Sequence, residues 1–571
     1  MNTIKHFLWI LLASSFVTFF TYLLFLPIFT TSTLIFPYAI HPFDICSIYP
    51  HFWNIFKQIY LFLHFISYSI CFHFLITIFK TKKGNPKPKS KSFSPSIPSS
   101  LHLFIGYNEK HEKIYLPEHS LYQNILITGS IGSGKTSSAI YPFTKQLLSY
   151  GNYNTKLGML LLDVKGNYYS QVIKEAKQCG RLQDIIVIEP GIGITYNPLD
   201  KPLLKPAVLA NRLKTILTLF SPQTTESYWL DKIEETLANA ITFCRLYNNG
   251  YVSFSEIHQL ITSPPYYREK CSFLRSRFLS NTLSQEQQFD LLSCLSFFEQ
   301  EWEQLDSRTH AILQSEITRI THFFVSDYTI SQTFSPARDN ITFHGFQEVL
   351  SQGKIVILHM NLAQYQNLAR IIATYLKLDF QSDVLSLLNQ SFLSSSRSFA
   401  FICDEFQEFC TSTDASFFSQ SREAHCINIV STQSYSSLVC TLQEKSCVEV
   451  ILQSLVNKLW FRNDDLYTIE SAQKQIGKEE KEKTSETISE NAKETVFNYV
   501  TSSFQSTQSN LTEGFTKYTC MDFSYDTRFF SQSLETFSCL AFLSDGTHIM
   551  PIQKISLIPY FKEKGGFPND D

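Results

Sequence analysis

No two of the 13 cysteines form a C-x-x-C pair. A zinc ribbon, a thioredoxin-type redox motif and a compact disulfide scaffold are therefore excluded. Charge is also scarce, with charged residues at 17% and apolar residues at 44%, so the chain has enough apolar mass for a core and is not intrinsically disordered. There is no excess of positive charge, because 48 Lys and Arg face 51 Asp and Glu for a net charge of -3. That excludes a protein that coats nucleic acid through bulk positive charge. Mean hydropathy is -0.06, which excludes a polytopic membrane protein and leaves room for a minority of spans. What is present is 571 residues, too many for one compact domain and enough for about two to four units.

Charge is unevenly distributed. Residues 1–100 hold eight lysines against a single acid, Asp44, a balance of +7, which leaves -10 for residues 101–571. Phe7 to Phe29 is free of charge and mostly apolar, and Ile59 to Phe79 is a second such run. Each is long enough to cross a hydrocarbon core as a helix. A cleavable signal peptide is the competing reading of the first run. Its length, the lack of an A-x-A site and the second run behind it argue for a two-helix transmembrane hairpin over 1–80. Lys80, Lys82 and Lys83 follow the second run directly, whereas the intervening loop has no Lys or Arg. The positive-inside rule then places both termini and the bulk of the chain in the cytoplasm. Residues 81–100 are rich in Lys, Pro and Ser and read as an extended linker.

Chemistry appears next. Ile125–Ile127 is a short apolar strand, followed by Gly129-Ser130-Ile131-Gly132-Ser133-Gly134-Lys135-Thr136, a match to G-x-x-x-x-G-K-[ST]. The glycines let backbone amides point at phosphate oxygens. Lys135 is placed to reach the β- and γ-phosphates, and the Thr136 hydroxyl to ligate Mg²⁺. Ser137 opens the helix whose N-terminus adds its dipole to the anion site. The expected nucleotide is ATP with Mg²⁺.

A phosphate loop needs an acidic partner on another parallel strand. Ser398–Glu405 reads SFAFICDE, an apolar strand ending in two carboxylates. Asp404 is placed to hold Mg²⁺ and Glu405 to deprotonate an attacking water. A strand can also end in Asp-Glu merely to cap a helix. Further strands are expected at Gly158–Asp163, Ile185–Glu189, Lys354–Met360 and Cys426–Thr432, with helices between. This alternation predicts an α/β fold with a parallel sheet covered on both faces, and ligands at the carboxyl ends of its strands. Asp163, Lys165, Thr432 and Gln433 fall at such ends, and Gln433 is a candidate sensor of the γ-phosphate or the water. Arg422 is a candidate to reach a neighbouring subunit's γ-phosphate, or else a surface residue, with Arg462 as the weaker alternative.

From about Lys201 to Asp327, apolar residues recur at helical spacing, as in Trp229, Ile233, Leu237, Ala240 and Ile241. An all-helical domain over 201–327 is therefore expected, inserted into a nucleotide-binding domain over 101–200 and 328–571. Its cluster Arg268, Lys270, Arg275 and Arg277 reads as a solvated face or a local nucleic-acid contact. Lys478–Thr516 is polar and reads as a loop or a solvated helix. Asp545-Gly546 marks a hairpin turn near the end.

Taken together the chain resembles the VirD4/TraG/TraD coupling proteins of type IV secretion and conjugation. The matching features are the double span, GSIGSGKTSSA, LLLDVKGNYY, ITYNPLD at Ile194–Asp200, FICDEFQEF at Phe401–Phe409 and SREAHCINIVSTQSYSSL at Ser421–Leu438. The resemblance implies a RecA-like P-loop ATPase with an inserted all-helical domain. It implies a ring of six on the bacterial inner membrane that passes DNA–relaxase complexes or proteins to a secretion channel. By motif it assigns nucleotide binding to Lys135 and Thr136, the second acidic motif to Asp404 and Glu405, the post-strand glutamine to Gln433 and a trans-acting arginine to Arg422. Cys403 before the acidic pair and Gln407, where DEFP versions carry proline, depart from the pattern. Competing readings are a DNA translocase of the FtsK/SpoIIIE/HerA kind and a receptor that binds nucleotide without hydrolysing it. The first usually carries more spans and a C-terminal winged-helix reader.

Overall fold

The computed structural model describes residues 101–562 apart from 164, 221–226, 281, 390–396, 492–495, 501 and 506–509. The expected spans at 7–29 and 59–79 and the linker at 81–100 lie outside the described residues. Among the described residues no helix is long and apolar enough to cross a membrane.

In chain order the strands are β1 (His102–Asn108), β2 (Lys113–Pro117), β3 (Ile125–Thr128), β4 (Gly158–Leu162), β5 (Ile185–Ile188) and β6 (Ile355–Leu358). They continue as β7 (Phe399–Cys403), β8 (Cys426–Thr432), β9 (Asn457–Phe461), β10 (Lys478–Asn491), β11 (Val496–Asn498) and β12 (Ser503–Gln505). The last three are β13 (Asn510–Phe523), β14 (Ser538–Phe542) and β15 (Gln553–Ser556). Eleven of them form one sheet in the order β2-β1-β15-β14-β9-β3-β8-β7-β4-β6-β5. From β9 to β5 all neighbours are parallel, and from β9 outward through β14, β15, β1 and β2 they are antiparallel.

The parallel strands carry apolar residues at nearly every position because both faces of the sheet are covered. Alternate side chains divide between two cores. Ile125, Ile127, Met159, Leu161, Ile402 and Ile429 pack on one face, and Leu126, Leu160, Leu162, Phe401 and Val430 on the other. The second core is continuous with the helices that lie between β5 and β6, where every described element is helical, beginning with Pro206–Thr218 and Ser227–Tyr247. Two of these helices start on reciprocal caps, Ser253 with Glu256 and Ser284 with Gln287.

A buried charge knot ties two helices to the chain that follows β5. Asp379, fully buried on the helix Leu362–Ser386, pairs with Lys201 at 2.6 Å and Arg212 at 3.0 Å, and accepts from the Tyr196 hydroxyl at 2.9 Å. Burial alone would raise its carboxyl, but the two cations outweigh burial and hold it below the usual range.

Two segments bear on the sequence reading. Residues 478–516, read as a loop or solvated helix, instead hold β10 and the first half of β13, which pair antiparallel from Lys478↔Phe523 to Asn491↔Asn510. Where described, most of their side chains are exposed on both faces of the ribbon, so no apolar alternation marks either strand. Cross-strand contacts such as Lys483–Asp522 at 2.8 Å help hold the register. The turn at Asp545-Gly546 does join β14 to β15, with Asp545 accepting from the amides of Thr547 and His548 at 2.8 Å. The eleven described cysteines are all free thiols.

Candidate nucleotide-binding site

The register of three neighbouring strands assembles the site. Thr128 at the end of β3 lies opposite Thr432 at the end of β8, and Cys403 at the end of β7 lies opposite Val430. The loop after β3 and the acids after β7 therefore emerge on either side of the end of β8, at the carboxyl edge of the sheet.

Gly129 is held at this edge, its amide donating to the Thr432 carbonyl at 3.4 Å. A side chain there would meet Phe461 Cβ at 2.6 Å. Ser130 donates its amide to the Arg462 carbonyl at 2.8 Å and its hydroxyl to Asp464 at 2.9 Å. Ile131 is 80% exposed at the tip. Gly134 has φ +97°, and a Cβ would come within 2.5 Å of the Phe537 ring. Phe537 also donates its amide to the Ser133 carbonyl at 3.1 Å, so the chain just before β14 braces the loop from behind. No signal in the sequence marks Phe537 for that role.

Lys135 is buried, and its ammonium donates to the carbonyls of Gly129 and, at 3.3 Å, Ser130. Burial lowers its proton affinity, opposed by the charges of Glu405 and Asp404. Thr136 donates its hydroxyl to Asp404 Oδ2 at 2.8 Å, so the residue ending the loop and the acid ending β7 touch across β8. Thr136–Ile140 forms one π-helical turn before the regular helix Tyr141–Ser149. Ser137 and Ser138 both donate back to the Gly134 carbonyl.

Asp404 is 1% exposed, and Ser431 donates to its other oxygen. Burial raises its carboxyl, partly offset by the Ser431 and Thr136 hydroxyls. Glu405 sits at φ +53°, a left-handed conformation uncommon for a residue other than glycine. Its carboxylate accepts from Gln407 Nε2 at 2.8 Å, Gln433 Nε2 at 3.2 Å and Lys165 Nζ at 3.4 Å. Burial would raise it, but Gln407, Lys135, Lys165 and Gln433 together hold it below the usual carboxylate range. The same Gln407 accepts from Thr432 Oγ1 at 2.9 Å, which fixes its amide between β8 and Glu405.

The structure thus brings together the phosphate loop, Asp404, Glu405, Gln433, Lys165 and Thr432. Asp163 is close by, but its oxygens accept the amides of Lys165 and Tyr168 and so order the turn into the helix Tyr168–Gln178. Arg422 is not brought to this edge. It is exposed and precedes the start of β8, at the opposite end of the sheet. Arg462, at the end of β9, is the arginine beside the loop, through its main-chain bond to Ser130. The basic cluster of the helix Pro264–Leu279 is largely spent locally, Lys270 on Glu269 and Tyr247, Arg275 on Glu299, and Arg277 on the Leu246 carbonyl.

A phosphate-bound Mg²⁺ takes most of its ligands from water and phosphate and needs one hydroxyl and one carboxylate from the protein. The converging Thr136 and Asp404 oxygens fit that demand. Among the described residues no group of three or more His, Cys, Asp or Glu is arranged to hold a metal by itself.

Residues 398–514 match a family model described as the TraM recognition site of TraD and TraG. No curated protein matches the chain. Among solved structures, the plasmid coupling protein TrwB in complex with the non-hydrolysable ATP analogue ADPNP aligns with a TM-score of 0.53 at 13% identity, over 82% of this chain and 96% of that one. TrwB in complex with ADP and Mg²⁺ aligns with a TM-score of 0.52 at 13% identity, over the same shares. The unbound form of that bacterial conjugative coupling protein aligns with a TM-score of 0.52 at 13% identity, over 82% and 95%. The family match over residues 398–514 and the fold shared across 82% of the chain bear out the resemblance to the VirD4/TraG/TraD coupling proteins.

Proposed function

We propose that this chain is a membrane-anchored ATPase that couples DNA–relaxase or protein substrates to a type IV secretion or conjugation channel. The observation that carries the reading is the Thr136–Asp404 contact, with Lys135, Glu405 and Gln433 gathered around it. Bound ATP with Mg²⁺ would supply the phosphoanhydride to be cleaved and a cation to balance its charge. The loop amides and the Lys135 ammonium bind the phosphates, the ammonium exchanging its neutral carbonyl partners for charged ones. Thr136 and Asp404 would hold the metal. Glu405, kept ionised by Gln407, Lys165 and Gln433, accepts a proton from water, and Gln433 positions that water.

Three supports bear on the wider assignment. The family match is to a TraM recognition site, which favours a partner of the TraM kind. The fold is shared with TrwB, a plasmid coupling protein solved in complex with nucleotide analogues. The apolar runs at 7–29 and 59–79 favour an inner-membrane anchor, with the nucleotide-binding domain and an inserted helical domain over 201–327 in the cytoplasm. A homohexamer would place a cation of one subunit at the phosphates of the next, and Arg422, remote from its own loop, is available for that role.

The test is steady ATP hydrolysis by the purified full chain in detergent. Lys135→Ala is expected to lose nucleotide binding and turnover, and Glu405→Gln to bind ATP and turn over at least about tenfold more slowly. Parental turnover by Lys135→Ala would refute the assignment.

A further inference from the structure

β9 runs through the middle of the sheet, with Lys458 opposite Leu126 of β3 on one side and Phe542 of β14 on the other. Lysine at such a position is costly, because an ammonium taken from water must find a partner or lose its charge. Lys458 is 4% exposed. Among the described residues no hydrogen bond or ion pair reaches its nitrogen, which lies 5.9 Å from the centre of the Phe542 ring. The other lysines buried to this degree are satisfied. Lys377 is held by Asp414, Thr411 and the Phe409 carbonyl, and Lys135 by the carbonyls of its loop.

Lys458 lines a cavity of about 470 Å³ beneath the helices that follow β8 and β9. Leu452, Val456, Tyr435, Tyr467 and Phe542 provide apolar and aromatic walls. The Tyr435 hydroxyl is engaged, accepting from Trp460 Nε1 at 2.9 Å. Glu449 is the acid of the lining, and it stands exposed at the rim, where its carboxylate takes the Tyr467 hydroxyl at 3.5 Å. The rest of the lining is the amides of Gln453 and Gln475, the Ser471 hydroxyl and the exposed Ile549. A volume of this size suits a fragment or a side chain with its backbone, and an apolar pocket with one convergent polar group is the usual form of a small-ligand site.

We infer that this cavity is a binding site, separate from the nucleotide site, for an apolar group bearing a single carboxylate, with the Lys458 ammonium as its counter-ion. The walls select the apolar body. The unpaired ammonium at the floor selects the anion and rejects amines. The carboxylate would belong to a free aryl or alkyl acid or to the terminus of a polypeptide ending in an apolar residue.

The experiment uses the purified full chain in detergent and isothermal titration with 4-phenylbutyrate, with 4-phenylbutanol and 4-phenylbutylamine as probes of equal shape. A short peptide ending in free phenylalanine and its C-terminal amide form the second arm. The acid is expected to bind at least about tenfold more tightly than the alcohol, the scale of one charge-assisted hydrogen bond, and the amine not at all. Lys458→Met, close in shape and without charge, is expected to abolish that preference while ATP binding stays parental. Binding of the free peptide but not its amide supports the site and identifies a chain terminus as the ligand. Binding of phenylbutyrate alone supports it with a free acid. Equal affinity for acid and alcohol, an unchanged preference in Lys458→Met, or no saturable binding of any probe at millimolar concentration overturns the inference.

Discussion

Replacing Lys458 with methionine is expected to stabilise the protein, the reverse of most core substitutions. The magnitude follows from its surroundings. Burial alone pushes the Lys458 amine down from 10.5 to about 8. At about 1.4 kcal/mol per tenfold change in proton affinity, the folded state gives up about 3 kcal/mol of stability at pH 7 to keep this group protonated. Because the folded value is the lower one, the unfolded chain binds more protons between pH 8 and 10.5, and stability rises with pH across that window. Methionine removes the cost and fills nearly the same volume among Leu126, Phe542 and Tyr435. The other ionisable groups of the cavity, Tyr435, Tyr467 and Glu449, do not pair with the amine. Urea unfolding of parent and variant at a series of pH values should therefore show a gain of up to about 3 kcal/mol at pH 7 that shrinks to under about 1 kcal/mol at pH 10. A variant no more stable than the parent at pH 7, or a gain that does not change between pH 7 and 10, would refute the reasoning.

Gln407→Ala removes the shortest hydrogen bond to Glu405, so the carboxyl should hold its proton to higher pH; the acid limb of the pH–rate profile for ATP hydrolysis is expected to move upward, with KM little changed. Asp379→Leu strands the buried cations of Lys201 and Arg212 and is expected to cost about 3–5 kcal/mol in urea unfolding. Gly134→Ala forces a side chain into φ +97° and against Phe537, and should weaken ATP binding at least about tenfold. Adding Phe537→Ala relieves the contact but not the backbone strain, so it should restore binding only in part.

Six of the seven strands in the parallel half were legible because most of them are buried on both faces, whereas β9, whose NKLWF carries Asn457 and Lys458, was not expected from the sequence. ILIT, GMLLL, FAFIC and CINIVST stand out as apolar blocks against polar flanks, and the chemistry sits immediately after them. The Thr136–Asp404 contact was implicit in two motifs, but only the register across β8 brings them within 2.8 Å. Gln407 shows what a departure from a family pattern can conceal. Noted in the sequence only as a departure from the DEFP pattern, it proves to be the residue that bridges β8 and Glu405. The ribbon of β10 and β13 was illegible because both its faces meet solvent, so neither period 2 nor period 3.6 governs KEEKEKTSETISEN. Phe537 supports the phosphate loop through a contact 404 residues from Ser133 in sequence, and no local pattern encodes such a pairing.

The antiparallel half of the sheet sets a timetable for biosynthesis. β1 hydrogen-bonds to β15, with Tyr107 opposite Ser556, so this edge waits for a strand made about 450 residues later. At about 5–20 residues per second that interval is on the order of half a minute to a minute and a half. Throughout it the nascent β1–β2 hairpin offers an unzipped backbone to any passing strand, which makes it the segment most in need of a chaperone's cover on the ribosome. A stop codon before β15 would leave that exposure permanent.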